Sequence, residues 1–389
     1  MEFCNYINPY NLRHMETEIK PNPNILTWAI QRAGYELRDL ALKFPTVAEW
    51  LEETKKPTLK QLEAFSRKVH LPFGYLFLDK PPIEKLSFPF FRSGKATKST
   101  VSLNLYDTIQ LIQKRQDWLS EYLMENDFKP LGFVGKFENN QHYKAIVDDI
   151  RKTLYLAPNW ANNFKSWTEA LDHFIAKIEE AGIVMTFNSV VENSNKRNIK
   201  VEECRGFVLV DPYAPFMFIN AADGKAAQMF TIAHELAHIW LGKSAGFDID
   251  KLLPANDPIE LLCDQVAAEL LVPENIFLQL FDRNKSFKDL ARYFKISPIV
   301  IARRALDLNK ITKEQFFSFY NNYIIEVKEK KDNAQSGGDF YATQKKRVSL
   351  RFAAHINQAI KENQLLYRDA YKLTGLKGDT YQKFISKNL

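Results

Sequence analysis

Residues 231–240 read Thr-Ile-Ala-His-Glu-Leu-Ala-His-Ile-Trp, and the rest of the chain is interpreted outward from them. The mostly apolar residues between the polar ones predict a buried helix over residues 225–241. His234 and His238 are four residues apart, so both imidazoles project from one face, where two neutral imidazoles can bind one Zn²⁺. Glu235 lies beside that face and can act as general base toward a water at the metal without binding the metal itself.

A catalytic zinc site needs a third protein ligand, and the next predicted helix, residues 257–271, offers one. The longer pattern HExxHxxGxxH is absent, because position 244 is Ser. Glu260 and Asp264 are four residues apart, on one face of this second helix. We predict that Glu260 is the third metal ligand and that Asp264 accepts the free N–H of a ligand histidine. Alternatively, Glu260 is an acid favoured only by the helix dipole.

Other interpretations of these residues remain open in the sequence. The two histidines can also be neutral core residues that are hydrogen-bonded and bind no metal. Cys263 is a rival sulfur ligand, but we expect it on another side of its helix, as a buried apolar residue. The group that stabilises an oxyanion is not defined, and three candidates are His173, Tyr213 and the backbone of residues 216–220.

The elements around the motif predict an α+β protein that is mainly helical, with one small sheet beside the motif helix. Apolar, β-branched runs predict strands over residues 182–191, 206–211 and 216–220. Longer helices are expected over residues 100–126, 142–156 and 165–182, and short helices follow the second motif helix to about residue 330. We divide the chain into residues 1–79, a linker over 80–98, a domain over 99–332 that contains the HExxH motif, and a basic helical unit over 333–389.

Residues 24–78 predict four or five short helices with tight turns, as in a helix-turn-helix unit. By the usual spacing the second helix is Glu36–Lys43 and the recognition helix is Thr46–Glu53. That recognition helix contains three acidic residues and no Lys or Arg. Major-groove readers normally present basic or amide side chains among phosphates, so this helix argues against sequence-specific DNA reading. A fold that packs or binds a protein partner is the alternative.

Composition excludes several classes of protein. The three cysteines form no CxxC pair, so a disulfide framework or an all-cysteine zinc site is not expected. No apolar run is long enough to cross a membrane and the first residues do not resemble a signal peptide, so we expect a cytoplasmic protein without a membrane partner. The net charge of +6 comes from the C-terminal tail, since residues 328–389 hold 13 basic and 6 acidic residues. Such a tail can contact DNA weakly and without sequence preference.

The stretch TIAHELAHIWLG at residues 231–242, followed by ELLCDQVAAELLVP at residues 260–273, resembles the ImmA/IrrE-type metallopeptidases. Val266 stands where Phe is usual in that family, and Asp264 stands where Asn is common. The segment RGFVLVDPYAPFMFIN, residues 205–220, is similar to the strand pair that precedes the family's active helix. The resemblance implies a zinc endopeptidase, with Mn²⁺ or another divalent cation as alternatives. Its typical targets are transcriptional repressors, cleaved to derepress genes for stress response or mobile elements.

Two other segments resemble parts found in members of that family. PTLKQLEAF (residues 57–65) and LPFGYLFLDKPP (residues 71–82) are similar to the XRE-like helix-turn-helix that is often fused N-terminally. The segment from residue 337 to 377 is similar to a tail of longer members. The leading interpretation is therefore an endopeptidase acting on a repressor or another protein encoded nearby. The alternative is a DNA- or partner-binding regulator with a structural or vestigial metal site.

Overall fold

The computed structural model describes residues 20–84, 101–139, 142–247, 257–281, 286–331 and 340–389. The described residues form two compact units, one of residues 20–84 with 101–103 and one of the described residues from 104 to 389. Most of the expected linker at 80–98, and the break expected near residues 333–338, lie outside the described residues. No helix in the described part of the chain is both long and apolar enough to cross a membrane.

The first unit is built from short helices, as expected. Its elements are α1 (Pro23–Arg32), α2 (Leu37–Ala41), α3 (Val47–Leu51), α4 (Leu59–Lys68) and a 3₁₀ turn over Phe73–Phe77. The side chain of Asn22 caps α1, and Thr58 and Gln61 form a reciprocal capping box at the start of α4. Buried side chains of the four helices form a small core in which Trp50 and Phe65 meet edge to face.

The helix expected over Thr46–Glu53 is shorter in the structure, where α3 has five residues. Glu52 is the C-cap, and Glu53 has a φ of 58°, which is left-handed and ends the helix. Glu49 of α3 forms a surface ion pair with Lys55 at 3.3 Å, and Glu53, just beyond the helix, forms one with Lys20 at 2.9 Å. The helix therefore presents little more than one turn, and its charge is acidic.

The second unit is also mainly helical, with a small mixed sheet, which confirms the expected α+β class. The elements before the second motif helix are α5 (Leu103–Glu125), α6 (Tyr143–Leu154), α7 (Trp167–Ala181), β1 (Val184–Asn188), β2 (Gly206–Leu209), β3 (Phe216–Asn220), α8 (Lys225–Leu241) and β4 (Ala245–Phe247). The elements that follow are α9 (Pro258–Leu271), α10 (Glu274–Phe281), α11 (Phe287–Phe294), α12 (Pro298–Asp307), α13 (Lys313–Lys331), α14 (Phe340–Val348), α15 (Leu350–Lys361), α16 (Tyr367–Thr374) and α17 (Gly378–Asn388).

The sheet has the strand order β1-β3-β2-β4. β3 pairs in parallel with β1, with Val184 opposite Phe216, and antiparallel with β2, with Leu209 opposite Phe216. The sequence predicted β1, β2 and β3 but not β4, which pairs antiparallel with β2. Every residue of β1, β2 and β3 is buried, because helices of the same unit cover the sheet.

Gly206 in β2 allows the motif helix to lie close to the sheet. A Cβ atom at this position would lie 2.6 Å from the Thr231 methyl group of α8 and 3.0 Å from the Phe218 carbonyl oxygen of β3. Any larger side chain would therefore push α8 away from the sheet. At its other end α8 stops at Gly242, whose φ of 69° is favourable for glycine.

The C-terminal helices pack within the second unit. α14 lies against β1, and Lys346 forms an ion pair with Asp172 of α7 at 2.7 Å. Arg347 donates to Asn193, and Arg351 donates to the backbone carbonyl of Glu179. Of these three basic residues, Lys346 is paired with an acid, whereas Arg347 and Arg351 donate to neutral oxygens and keep their charge.

Candidate metal centre

The motif helix α8 is buried on all sides along its second half. Every residue from Gln228 to Leu241 is buried, and His234, Glu235 and His238 are at most 1% exposed. Burial of three polar side chains costs free energy unless they are paired or bind something. The partners of these three side chains therefore indicate whether they are paired with other residues or arranged to bind a ligand.

The second motif helix, α9, is fixed at both ends and packs along α8. At its start Asp257 accepts hydrogen bonds from the backbone N–H groups of Ile259 and Glu260, which places Glu260 in the first turn. At its end the buried carboxylate of Glu269 binds the Arg304 guanidinium of α12 and accepts from the backbone N–H of Glu274. These interactions hold the α9 side chains in position against α8.

The structure brings the three predicted ligand side chains together at one buried point. The His234 and His238 Nε2 atoms are 3.2 Å apart. Glu260 Oε2 lies 3.1 Å from His234 Nε2, and Glu260 Oε1 lies 3.3 Å from His238 Nε2. In a tetrahedral site with metal–nitrogen bonds of about 2.0–2.1 Å, neighbouring ligand atoms lie about 3.3 Å apart. The observed spacing fits a divalent transition metal.

Asp264 lies where the sequence predicted an orienting acceptor. Its Oδ1 is 3.0 Å from His234 Nδ1. With the Nδ1 proton donated to Asp264, the neutral His234 ring directs the lone pair of Nε2 toward Glu260 and His238. The Nε2 lone pair of His234 and the Glu260 carboxylate then face each other, and a cation bound between them would relieve their repulsion.

The pKa values of the clustered side chains also indicate that positive charge is favourable at this point. Burial lowers the pKa of His234, but hydrogen bonds to Asp264 and Glu260 raise it more, to a net value of about 10. Burial raises the pKa of Glu260, but hydrogen bonds from His234 and His238 lower it by more, so the net pKa lies below the usual range. Burial lowers the pKa of His238, which favours the neutral form that binds a metal.

Glu235 brings a second carboxyl group into this buried region. It is fully buried, and neither of its carboxylate oxygens has a hydrogen-bond partner among the described residues. Burial raises the pKa of this group well above its ordinary value. A buried carboxyl group that neither binds a partner nor reaches bulk water is suited to exchanging a proton with a bound molecule.

Cys263 is buried as expected, but the prediction that it lies on another side of α9 is wrong. Its Sγ and one ring nitrogen from each of His234 and His238 all lie within 4.8 Å of one another. Residues three apart on a helix are neighbours on one face, so Cys263 shares the face of Glu260. This spacing was the signal in the sequence that could have identified it.

The three oxyanion candidates differ in how their groups are used. The His173 ring lies against the rings of Trp160 and Phe164, with centroids 6.0 and 4.8 Å away. Tyr213 lies in the turn between β2 and β3, where its backbone N–H donates to Asp211. The backbone of residues 216–220 pairs with strands on both sides, so it is a poor source of free N–H groups.

Both helices of the candidate metal centre lie in a segment that matches a known family. Residues 178–306 match the model of peptidase family M78, described as the IrrE N-terminal-like domain, and this segment contains both α8 and α9. The match supports a peptidase of the ImmA/IrrE type, and it implies a metal cofactor and a protein substrate. Residues 348–387, which include α15, α16 and most of α17, match a domain of unknown function (DUF8813). A comparison with curated proteins finds no match.

Proposed function

We propose that the protein is a zinc-dependent endopeptidase that cleaves a transcriptional repressor or a similar regulatory protein. His234, His238 and Glu260 hold the metal, Asp264 orients His234, and Glu235 is the general base. The observation that carries the proposal is the convergence of two imidazole nitrogens and a carboxylate, 3.1–3.3 Å apart. The same buried region holds a glutamate that has no hydrogen-bond partner among the described residues.

Each of these side chains has its own role in peptide hydrolysis. A bound Zn²⁺ supplies a Lewis acid that polarises the scissile carbonyl. Glu235 takes a proton from the attacking water and passes it to the nitrogen of the departing amine. Its buried position shields the carboxyl group from bulk water between the two transfers. Asp264 keeps the His234 ring in one tautomer and one orientation throughout.

In this proposal the chain is organised as four segments, residues 1–79, 80–98, 99–332 and 333–389. The first segment is a helix-turn-helix-like unit that binds a protein partner, with DNA contact weak and not sequence-specific. The five-residue α3, with Glu49 as its one charged residue, argues against sequence-specific DNA reading, since a groove reader needs a longer helix with basic or amide side chains.

Co-expression with a repressor encoded beside the gene tests the proposed function. We expect cleavage of that protein by the wild type and a loss of at least about 100-fold in rate with Glu235→Gln, because general-base catalysis contributes about 10²–10⁴-fold. Glu138→Gln, at an exposed acid that pairs with Lys243, is the matched control and should cleave normally. Cleavage that is as fast with Glu235→Gln as with the wild type would favour the regulator alternative.

A further inference from the structure

Cys263 lies near the metal centre and has no role in the proposed function. It is fully buried on α9, in the turn that follows Glu260. A buried cysteine usually acts as a small apolar residue, and packing alone would explain its position. Its distance to the two histidines is what separates it from an ordinary core residue, since Sγ lies within 4.8 Å of a nitrogen of each.

The packing of α9 on α8 explains this approach. Residues 260, 263 and 264 are three or four positions apart, so they share the face of α9 that meets α8. Glu260 and Asp264 contact the His234 ring from that face, at 3.1 and 3.0 Å. Cys263 lies between them in sequence, so it is carried to the same imidazoles by the same packing of the two helices.

We propose that Cys263 is a fourth ligand of the metal in the resting protein, beside His234, His238 and Glu260. The proposal rests on the proposed function, because it takes the three-ligand centre as its starting point. Thiolate sulfur is among the preferred ligands of Zn²⁺. On binding, the S–H bond breaks, a metal–sulfur bond forms, and the proton leaves to solvent, with no oxidation or reduction.

A fourth protein ligand changes what the centre can do. Structural zinc sites have four protein ligands, whereas catalytic sites keep one position open. With Cys263 bound the centre is closed, and the thiolate has to leave before another molecule can occupy that position. The same residues thus hold the metal in a closed resting state and in an open, three-ligand state.

Cobalt spectroscopy tests the ligand directly. Co²⁺ accepts the same ligands as Zn²⁺, and a cobalt–thiolate bond gives a near-ultraviolet charge-transfer band that imidazole and carboxylate ligands do not give. We expect the band in the cobalt-loaded wild type and its loss in Cys263→Ala, which should still bind one Co²⁺ per chain. Cys204→Ser is the matched control, since Cys204 is equally buried but its thiol lies 3.6 Å from the Gly206 carbonyl oxygen.

A second variant assigns the band without changing Cys263. In the double variant Cys4→Ser/Cys204→Ser, Cys263 is the sole cysteine, and the band should persist. A wild type that binds one Co²⁺ without this band would overturn the proposal and leave the three-ligand centre intact. A wild type that binds no Co²⁺ would overturn both the proposal and the proposed function.

Acetohydroxamate, a chelating anion, tests whether the resting site is closed. In the wild type it has to displace the thiolate, so the charge-transfer band should disappear as it binds. In Cys263→Ala the position is already open, and binding should be about tenfold tighter if about a tenth of the wild-type molecules are open at a time. Equal affinity for the two proteins would show that the thiolate does not close the site.

Discussion

The sequences of the helix pairs α8–α9 and α2–α3 both match patterns that are typical of a function, metal binding in the first and DNA reading in the second. The two pairs differ in burial and in how closely their polar side chains approach one another. Between α8 and α9, side chains from two helices converge on one buried point, with polar atoms 3.0–3.3 Å apart. The helices α2 and α3 have five residues each; at the surface, Glu49 of α3 pairs with Lys55, and Glu53, just beyond α3, pairs with Lys20. Metal ligation needs only the correct spacing and one close neighbour, whereas groove reading needs an exposed helix of sufficient length and suitable charge.

The largest expected effect is the loss of metal from the α8–α9 pair. Purified wild type should hold about one transition metal ion per chain, and His238→Ala should hold almost none, because the loss of one imidazole ligand greatly weakens metal binding. Metal content by plasma emission after gel filtration measures this. His173→Ala is the control, since the His173 ring packs against Trp160 and Phe164. Equal metal content in His238→Ala and His173→Ala would show that the α8–α9 pair does not bind the metal through His238.

A smaller effect separates the ligand from the residue that orients it. Glu260→Ala should lose the metal, whereas Asp264→Ala should weaken affinity about 10–100-fold, as is typical when a hydrogen-bond partner of a ligand is removed. Asp264→Asn should weaken it less, because the amide oxygen still accepts the Nδ1–H of His234. Chelator competition measures the three affinities. A greater loss of metal affinity with Asp264→Ala than with Glu260→Ala would indicate that Asp264 is the ligand and Glu260 the orienting residue.

The buried Glu235 carboxyl group should make the stability of the metal-free protein depend on pH. Its folded pKa lies above the unfolded value of 4.5, so the stability it provides is full below pH 4.5 and falls as the pH rises. Glu235→Gln removes this dependence, so the stability of the variant relative to the wild type should increase between pH 5 and pH 8. The gain is about 1.4 kcal/mol for each pH unit over which only the folded state stays protonated.

Urea unfolding in the presence of a chelator, at pH 5 and pH 8, measures this difference. The amide introduced at residue 235 has the same charge at both pH values, so any constant cost of burying it cancels in the comparison. A stability difference that is the same at the two pH values would contradict the buried, ionisable environment assigned to Glu235.

The smallest expected effect concerns DNA and the α2–α3 pair. Replacing Glu49 and Glu52 by Lys should raise affinity for random duplex DNA a few-fold and steepen its salt dependence, because repulsion from phosphates is removed. Gel-shift titrations at two salt concentrations measure this. Glu138→Lys/Glu180→Lys, at exposed acids of the second unit, changes the net charge equally and should have less effect. Tight, sequence-selective binding by the wild type would make α2–α3 a DNA reader after all.

Local patterns in the sequence predicted most of the second unit. The expected helix over residues 225–241 has the bounds of α8, and the helix expected over 257–271 differs from α9 by one residue. The strand β4 was not predicted, because three residues contain too little alternation to identify a strand, and its existence depends on pairing with β2. The length of α3 was overestimated for a similar reason, since the left-handed conformation of Glu53 leaves no clear mark in the sequence.

The sequence by itself determined that His234, Glu235 and His238 lie on or beside one helical face, and that Glu260 and Asp264 lie on another, because helical period is a local property of the chain. The tertiary structure decided how those two faces meet. It showed which carboxylate reaches Nε2 and which reaches Nδ1 of His234, and it brought Cys263 within reach of both imidazoles. These distances depend on packing between helices that are separated in sequence, and on the close approach of α8 to the sheet at Gly206.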